Sequence, residues 1–389
     1  MRSLLRPAVT VAVIAFVARV DGAIGIAVAL AVLGVAVWSY PPLMLRSVEV
    51  ARAHPKRVFH GEAVDIEYSA LNRGRLPVPW LSVSDPVPFD LGIETTRWVV
   101  SLRGGEERSM VRTIEAKRRG VYRLGPATVA SGDFFGMRRA ESGKVAPSLL
   151  IVYPQIVPLR QLGIDSSSPL PVVPTGVPLY ADPTRMIGVR SYAPGDRYRD
   201  IHWKASAARG DLLTKQFQPG IDRDVVIALD LSLEAHPYPG RRRSIELAVT
   251  VAASIVHHLI TALGQSVGLR MVAVDAPTGA SAPRALSSHP DQGHLSEVLE
   301  TLARARASSR PDTDFLIDQA GLGYGSSLVM VTGLLDPMRC SALMRARRRG
   351  PTVSVIATGR DPDGGLVALL RGANVPVLPV SGRADLELI

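Results

Sequence analysis

The sequence predicts a multidomain α+β chain: an N-terminal transmembrane helical hairpin, an antiparallel β-sandwich of immunoglobulin-like type, and a C-terminal doubly wound α/β (Rossmann-like) domain. Three observations lead to it. Two apolar stretches fall within residues 4–45, residues 47–150 alternate in short bursts between turn signals, and from residue 224 buried-strand runs alternate with helical periods. The expected boundaries are 1–45 for the membrane anchor, 46–150 for the sandwich, 151–222 for a linking segment and 223–389 for the α/β domain.

In the anchor, Ala8–Val17 is apolar apart from Thr10, and Ala23–Trp38 carries no charge. Arg19-Val20-Asp21-Gly22 separates them. A crossing helix needs about 20 apolar residues, and roughly 17 suffice. The second stretch reaches that length through Leu45; the first does so when Leu4, Leu5 and Val20 are counted and Arg6 and Arg19 snorkel to the interfaces. Trp38 and Tyr40 suit an interfacial aromatic belt. Arg2 and Arg6 precede the pair and Arg46, Arg52, Lys56 and Arg57 follow it, so the positive-inside rule places both ends in the cytoplasm. The alternative is a cleaved signal peptide, against which no good small-x-small cleavage site precedes the second, longer apolar segment.

Within 47–150, Val64–Tyr68 alternates with period two and breaks at Asn72-Arg73-Gly74. Trp98–Leu102, Met110–Ile114, Val121–Leu124 and Ala127–Ala130 follow at short spacing with Gly, Pro or charged turns between them, as in an antiparallel sandwich. Beyond 224, Val225–Leu229 is a continuous apolar run, as in a strand covered on both faces. Ser244–Leu263 is helical in period, Val267–Val274 a strand, Gln292–Ala307 a helix, Leu328–Val331 a strand and Pro337–Arg349 a helix. Val353–Ala357, Leu366–Leu370 and Val375–Val380 complete the alternation, which means a parallel doubly wound sheet.

The 389 residues carry a formal charge of +10, almost all of the basic surplus being Arg. These residues are scattered, with no basic tail and no aromatic-interleaved tract, so nucleic acid is not the expected partner. The single cysteine, Cys340, excludes an intramolecular disulfide and a multi-thiolate zinc site; it reads as a helix-face residue.

Function in such sheets gathers beyond the carboxyl ends of the strands, which directs attention to Asp230, Ser232 and Glu234 after Val225–Leu229. Oxygen-bearing side chains at two-residue intervals suit a hard divalent cation such as Mg²⁺; Asp and Ser capping backbone groups is the simpler alternative. The densest polar stretch is 190–217. Asp196, behind Pro194-Gly195, reads as the N-cap of a helix over Arg197–Ala208, with Gly210 ending it. Ile201, Ala205 and Ala208 share its inner face, while Arg199, His202 and Ser206 share another. Leu213, Lys215 and Phe217 then fall on one side of a strand. Two readings stand: a surface bearing Arg190, Tyr192, Arg199, His202, Trp203, Lys204 and Lys215 that engages acidic groups or phosphate, or an intramolecular ion-pair network. The expected compromise has Arg190 and Asp196 holding structure while His202 and Lys204 face outward.

These features resemble the domain of unknown function 58 family of bacterial membrane proteins. The resemblance rests on Phe59-His60-Gly61-Glu62, Arg119-Gly120-Val121-Tyr122 with Leu124-Gly125-Pro126, Asp133-Phe134-Phe135-Gly136 and Val152-Tyr153-Pro154. Above all it rests on Tyr192-Ala193-Pro194-Gly195-Asp196 with Arg199, Ile201-His202-Trp203-Lys204, Ser206, Lys215 and Phe217. It implies a von Willebrand factor A-like α/β domain, membership in operons with MoxR-type AAA+ ATPases and, by that analogy, an adaptor or assembly component at the bilayer and not an enzyme. No resident cofactor is expected. The metal-binding version of that domain has Asp-x-Ser-x-Ser with a later Thr and Asp. Here Glu234 replaces the last Ser, and Thr332-Gly333 stands where the later Asp is expected, so tight Mg²⁺ binding is not expected.

The expected function is therefore a membrane-tethered interaction module with its soluble domains in the cytoplasm. The alternative is a hydrolase or phosphotransferase using His202, Lys204 and Asp230, which lacks a Gly-rich phosphate loop or nucleophile motif. Because basic residues flank the hairpin at both ends, a reporter fused after Ile389 is expected to be active in the cytoplasm. Periplasmic activity of that fusion contradicts the orientation.

Overall fold

Alternation of apolar and polar residues makes the strands of the first half, and the burial along them shows why. In the computed structural model, residues 21–91, 95–132, 138–159, 181–193, 198–219, 224–309, 311–317, 326–359 and 361–387 are described. They divide into two units, Met1–Gln155 and Ile156–Ile389.

The first unit begins with helix α1 (Asp21–Ser47) and continues through β1 (Val48–Ala53), β2 (Arg57–Val58), β3 (Ala63–Asn72), β4 (Val78–Asp85) and β5 (Thr96–Leu102). Next come β6 (Glu107–Glu115), β7 (Gly120–Leu124), β8 (Ala127–Gly132), β9 (Arg139–Val145) and β10 (Ser148–Val152). Along β3, Val64, Ile66, Tyr68 and Ala70 are buried while Asp65 and Glu67 are exposed, the signature of a sheet with one wet face. Among the described residues the strands form sheets in the orders β1-β3-β6, β5-β4-β8-β9 and β2-β10-β7. Val64 and Ile66, Leu81 and Val129, and Leu124 and Leu150, drawn from the three sheets in turn, meet in one apolar core. The runs expected at 64–68, 98–102, 110–114, 121–124 and 127–130 lie in β3, β5, β6, β7 and β8. One pairing departs from an all-antiparallel layout, since β10 runs parallel to β2.

A buried ion pair ties these sheets together. Arg52 of β1 and Asp85 at the end of β4 approach to 2.7 Å, with both side chains only 1% exposed. The guanidinium also donates to the carbonyls of Leu124 and Ala146 and to Ser148 Oγ. Tyr68 Oη donates to Asp85 Oδ2 at 2.7 Å, and burial, reinforced by that carboxylate, pushes its ionisation above the usual phenol range.

The 27-residue helix α1 packs on the sheets through its carboxyl end. Met44 and Leu45 enter the core, Tyr40 Oη donates to Pro77 O at 2.6 Å, and Arg138 lies 4.6 Å from the centre of the Trp38 ring. Further back, Ile26, Val28, Leu30 and Val35 are exposed. The first expected membrane stretch lies outside the described residues, so the hairpin itself does as well. Among the described residues, the helix that meets the length and hydropathy of a membrane span is Arg241–Thr261, which is mostly buried within its own unit.

The second unit carries a hairpin of β11 (Ala181–Ser191) and β12 (Leu213–Pro219), with helix α2 (Trp203–Arg209) between them. Then follow β13 (Val225–Asp230), α3 (Arg241–Thr261), β14 (Val267–Asp275), β15 (Ser281–His289), α4 (Gln292–Arg304) and β16 (Ala305–Arg306). Last come α5 (Thr313–Ile317), β17 (Ser327–Thr332), α6 (Pro337–Arg348), β18 (Thr352–Ala357), α7 (Gly364–Gly372) and β19 (Val377–Pro379). The main sheet has the order β15-β14-β13-β17-β18-β19 and is mixed: β15 is antiparallel, whereas β14, β13, β17, β18 and β19 are parallel. Every residue of β13 and β17 is buried, as the continuous apolar runs require. These two strands are sheet neighbours reached by opposite directions of winding, which makes their carboxyl ends the topological switch point. The edge strand β15 was not expected, because its residues are almost all exposed and Pro283 interrupts any apolar pattern. The helix expected over 292–307 stops at Arg304, where Ala305 turns extended and pairs with β14.

Removing the guanidinium in Arg52→Ala leaves the Asp85 carboxylate buried without its counter-charge. Full-length chain in detergent should lose about 3–5 kcal/mol in chemical denaturation. Arg73→Ala breaks the exposed pair with Glu49 and should leave the denaturation curve where it was. Equal losses in the two variants contradict the assignment.

Candidate functional site

The signature segment is built from the inside out. Arg190 and Ser191 of β11 register with Thr214 and Leu213 of β12, which brings the two ends of the segment together. Tyr192 N–H donates to Leu212 O, and His202 N–H donates to Leu213 O, both at 2.8 Å. Ile201 and Leu213 are buried beneath. Ser206, also buried, accepts the Leu213 N–H on its Oγ at 2.9 Å. At the far end Gly210 adopts φ 81°, a left-handed conformation that closes α2 through a bond to Ser206 O.

Three expectations change here. The helix starts at Trp203, not Arg197, because Tyr198–Asp200 forms a 3₁₀ turn and Ile201 is drawn into a bridge with Thr214. The N-cap is His202, whose Nδ1 accepts the Ala205 N–H at 3.1 Å; Pro194, Gly195 and Asp196 lie outside the described residues. Ser206 points inward, away from any shared outer face with His202, because the first amide of β12 takes its hydroxyl. Of Arg199 the main chain belongs to the 3₁₀ turn, and its side chain is outside the description.

What remains outward is aromatic and basic. Tyr198 is 73% exposed and Trp203 66%, and Leu212, after the helix, is 48% exposed. Lys204 and Arg190 are exposed and Lys215 is half-buried. The Tyr192 and Tyr198 rings stack with centroids 6.1 Å apart. Tyr198 and Trp203 are large aromatic groups that the packing leaves to solvent, on a segment otherwise bonded tightly to itself.

The second candidate is the switch point. Asp230, 3% exposed, ends β13. Its Oδ1 accepts the Ser232 N–H at 2.9 Å, while Oδ2 accepts the Thr332 hydroxyl at 3.3 Å and Arg339 Nε at 2.8 Å. Arg339 is itself 1% exposed; it donates from Nη2 to Ser232 Oγ at 3.1 Å and from Nη1 to Asp336 Oδ2. Asp336 also caps α6, accepting the Arg339 N–H at 2.7 Å, and Pro337 occupies the first turn. Burial opposes the Arg339 charge, but Asp230 and Asp336 outweigh it and hold the guanidinium pKa above its ordinary value. Asp230, Ser232 and Thr332 are thus brought together as expected, whereas Glu234 is exposed and makes no part of this cluster. Arg339 and Asp336 were missed. The signal was there: Arg339 stands at helical spacing with Ala342, Leu343 and Ala346, all buried, so a charge occupies the apolar stripe of α6.

Gly333 is explained by its neighbours. A Cβ there would lie 2.3 Å from His236 Nδ1 and 2.4 Å from Ala235 O, so no carboxylate fits at that position. His236 is fully buried, with Nε2 at 2.9 Å from the Asp230 carbonyl and Nδ1 at 2.7 Å from Ser244 Oγ. Burial, only partly countered by the Asp230 carbonyl, lowers its pKa and favours the neutral ring. Cys340, next to Arg339, is buried in the core under α6, and burial raises its thiol pKa.

Residues 188–361 match the family model described as Protein of unknown function DUF58. The chain is 27% identical over 238 residues to the Uncharacterized protein YeaD of Bacillus subtilis (strain 168), a match covering 56% of this chain and 54% of that protein. The chain thus spans about half the length of this curated relative. Among solved structures it is similar to the CARDB domain of a Pyrococcus furiosus protein, at 19% identity over 27% of this chain and 91% of that one, with a TM-score of 0.22. A Listeria innocua beta-glucosidase gives 14% identity over 27% of this chain and 16% of that one, with a TM-score of 0.18. Scores at this level carry no argument.

The neutral His236 ring sets an acid limit on stability. With its folded pKa below the ordinary 6.5, its contribution is complete above pH 6.5 and is lost as pH falls from there through the folded value. His257 and His258 shift downward by burial as well and share that window. His236→Gln should therefore make the acid decline of the melting midpoint shallower without removing it. Asp275, which the Arg304 hydrogen bonds hold near pKa about 2, adds a separate loss only between pH 3.8 and 2. An unchanged slope between pH 6.5 and 5 in His236→Gln contradicts the assignment.

Proposed function

We propose that this chain is a membrane-anchored interaction module whose signature segment docks a cytoplasmic partner. The observation that supports it most is Trp203: a Trp 66% exposed beside Lys204, on a helix whose inner side is consumed by Ile201, Ser206 and Leu213. Large aromatics flanked by cations, held on a rigid element, are what binding hot spots are made of. An intramolecular ion-pair latch would leave Lys204 covered, and it is exposed.

The anchor is proposed to be a helical hairpin with both ends in the cytoplasm. The exposed Ile26, Val28, Leu30 and Val35 of α1 and the basic residues beyond it support this. The second unit is proposed to be von Willebrand factor A-like; its support is a sheet order that places one antiparallel strand at the edge and Asp230 at the switch point. A MoxR-type AAA+ ATPase is the proposed partner, and no nucleic acid is expected. A hydrolase or phosphotransferase built on His202, Lys204 and Asp230 is disfavoured: His202 Nδ1 caps α2, whereas Asp230 is committed to Arg339, Thr332 and Ser232. The two belong to separate networks.

The test is binding of a purified, nucleotide-loaded MoxR-type ATPase to the full-length chain in detergent. Trp203→Ala combined with Lys204→Glu should weaken binding about thirtyfold, the loss of one hot spot of about 2 kcal/mol, with the melting midpoint unchanged. A lowered midpoint makes the segment a structural latch, and unchanged affinity removes it from the interface.

A further inference from the structure

Three oxygen-bearing side chains, Asp230, Ser232 and Thr332, meet at the carboxyl ends of β13 and β17, and such a hard donor set suits a divalent cation. The remaining residues do not fit one. The carboxylate expected on the later loop is replaced by Gly333, where even a Cβ collides with His236, and Glu234 is exposed to solvent. The space facing Asp230 Oδ2 and Ser232 Oγ is filled by a guanidinium, at 2.8 Å and 3.1 Å, whose third arm meets Asp336.

We propose that Arg339 is the built-in cation of this site: its guanidinium takes the position between Asp230 and Ser232 that a divalent ion would take, and closes the site to metal in the native chain. Chemistry favours the substitution. A guanidinium presents five donors in a fixed plane and keeps its charge under all physiological conditions, so it answers several oxygens at once. A metal entering beside it meets like charge at close range in a water-poor setting, where such repulsion is least screened. The device also has a mechanical consequence that a diffusible ion does not provide. Because the charge is carried by the first turn of α6, that helix is fastened to the end of β13 without any dependence on ion concentration.

The test is localised oxidative cleavage, with Fe²⁺ as the probe for the hard-cation position and ascorbate with peroxide as co-reactants. Fragments of full-length chain in detergent are mapped by mass spectrometry. The native chain should give no cleavage at residues 230–233 or 332–333. Folded Arg339→Ser, which opens the position while keeping all three oxygen donors, should gain cleavage at both, and excess Mg²⁺ should suppress it. Where Arg339→Ser does not fold, Arg339→Gln, closer in volume and uncharged, carries the same readout. Cleavage at 230–233 in the native chain overturns the proposal, as does its absence in the folded variant.

Discussion

A buried carboxylate at the end of β13 needs a counter-charge, and the fold of the second unit is arranged so that one arrives from α6. Isolated, either Asp230 or Arg339 would be strongly penalised at 3% and 1% exposure. Together with Asp336, Ser232 and Thr332 they satisfy one another. The connection joins the two central strands to the helix that follows β17, and it sits where the winding of the sheet reverses. Gly333 and His236 close the same region from the other side.

The first unit solves a similar problem in the same way. Arg52 and Asp85 are each 1% exposed, and the guanidinium spreads its remaining donors over Leu124, Ala146 and Ser148. Both cases use Arg, not Lys, because a planar fork reaches several acceptors from one side chain. The strongly Arg-biased charge of the chain therefore has an interior component. At the surface of the signature segment Lys204 follows the exposed Trp203, and it is there that recognition is proposed.

Much of this was legible in the sequence. In the first unit β3 announces itself through period-two alternation and β5 to β8 through short runs between turn signals, whereas β1, β2, β4, β9 and β10 were not expected; β13 and β17 show as unbroken apolar runs. Strand β15 was invisible because an exposed edge has no apolar face to display. The start of α2 was misplaced since Asp196 has better capping chemistry than His202; local propensity lost to the bridge between Ile201 and Thr214. Arg339 escaped notice for a different reason. Among the many arginines of α6 it looked like one more solvated charge, and only its spacing with Ala342, Leu343 and Ala346 marks it as internal. Ser232 and Glu234 follow Asp230 directly in the chain, whereas its ion-pair partner Arg339 lies more than a hundred residues on.

The interdependence of Arg339 and Asp230 is most directly measured by a double-mutant cycle in unfolding free energy, using Arg339→Met and Asp230→Leu singly and together. Arg339→Met strands the buried Asp230 carboxylate and should cost about 3–5 kcal/mol; Asp230→Leu leaves Arg339 its Asp336 partner and should cost less, while the pair should cost far less than the sum of the two. Additive losses would show that the two side chains act independently and would contradict the account.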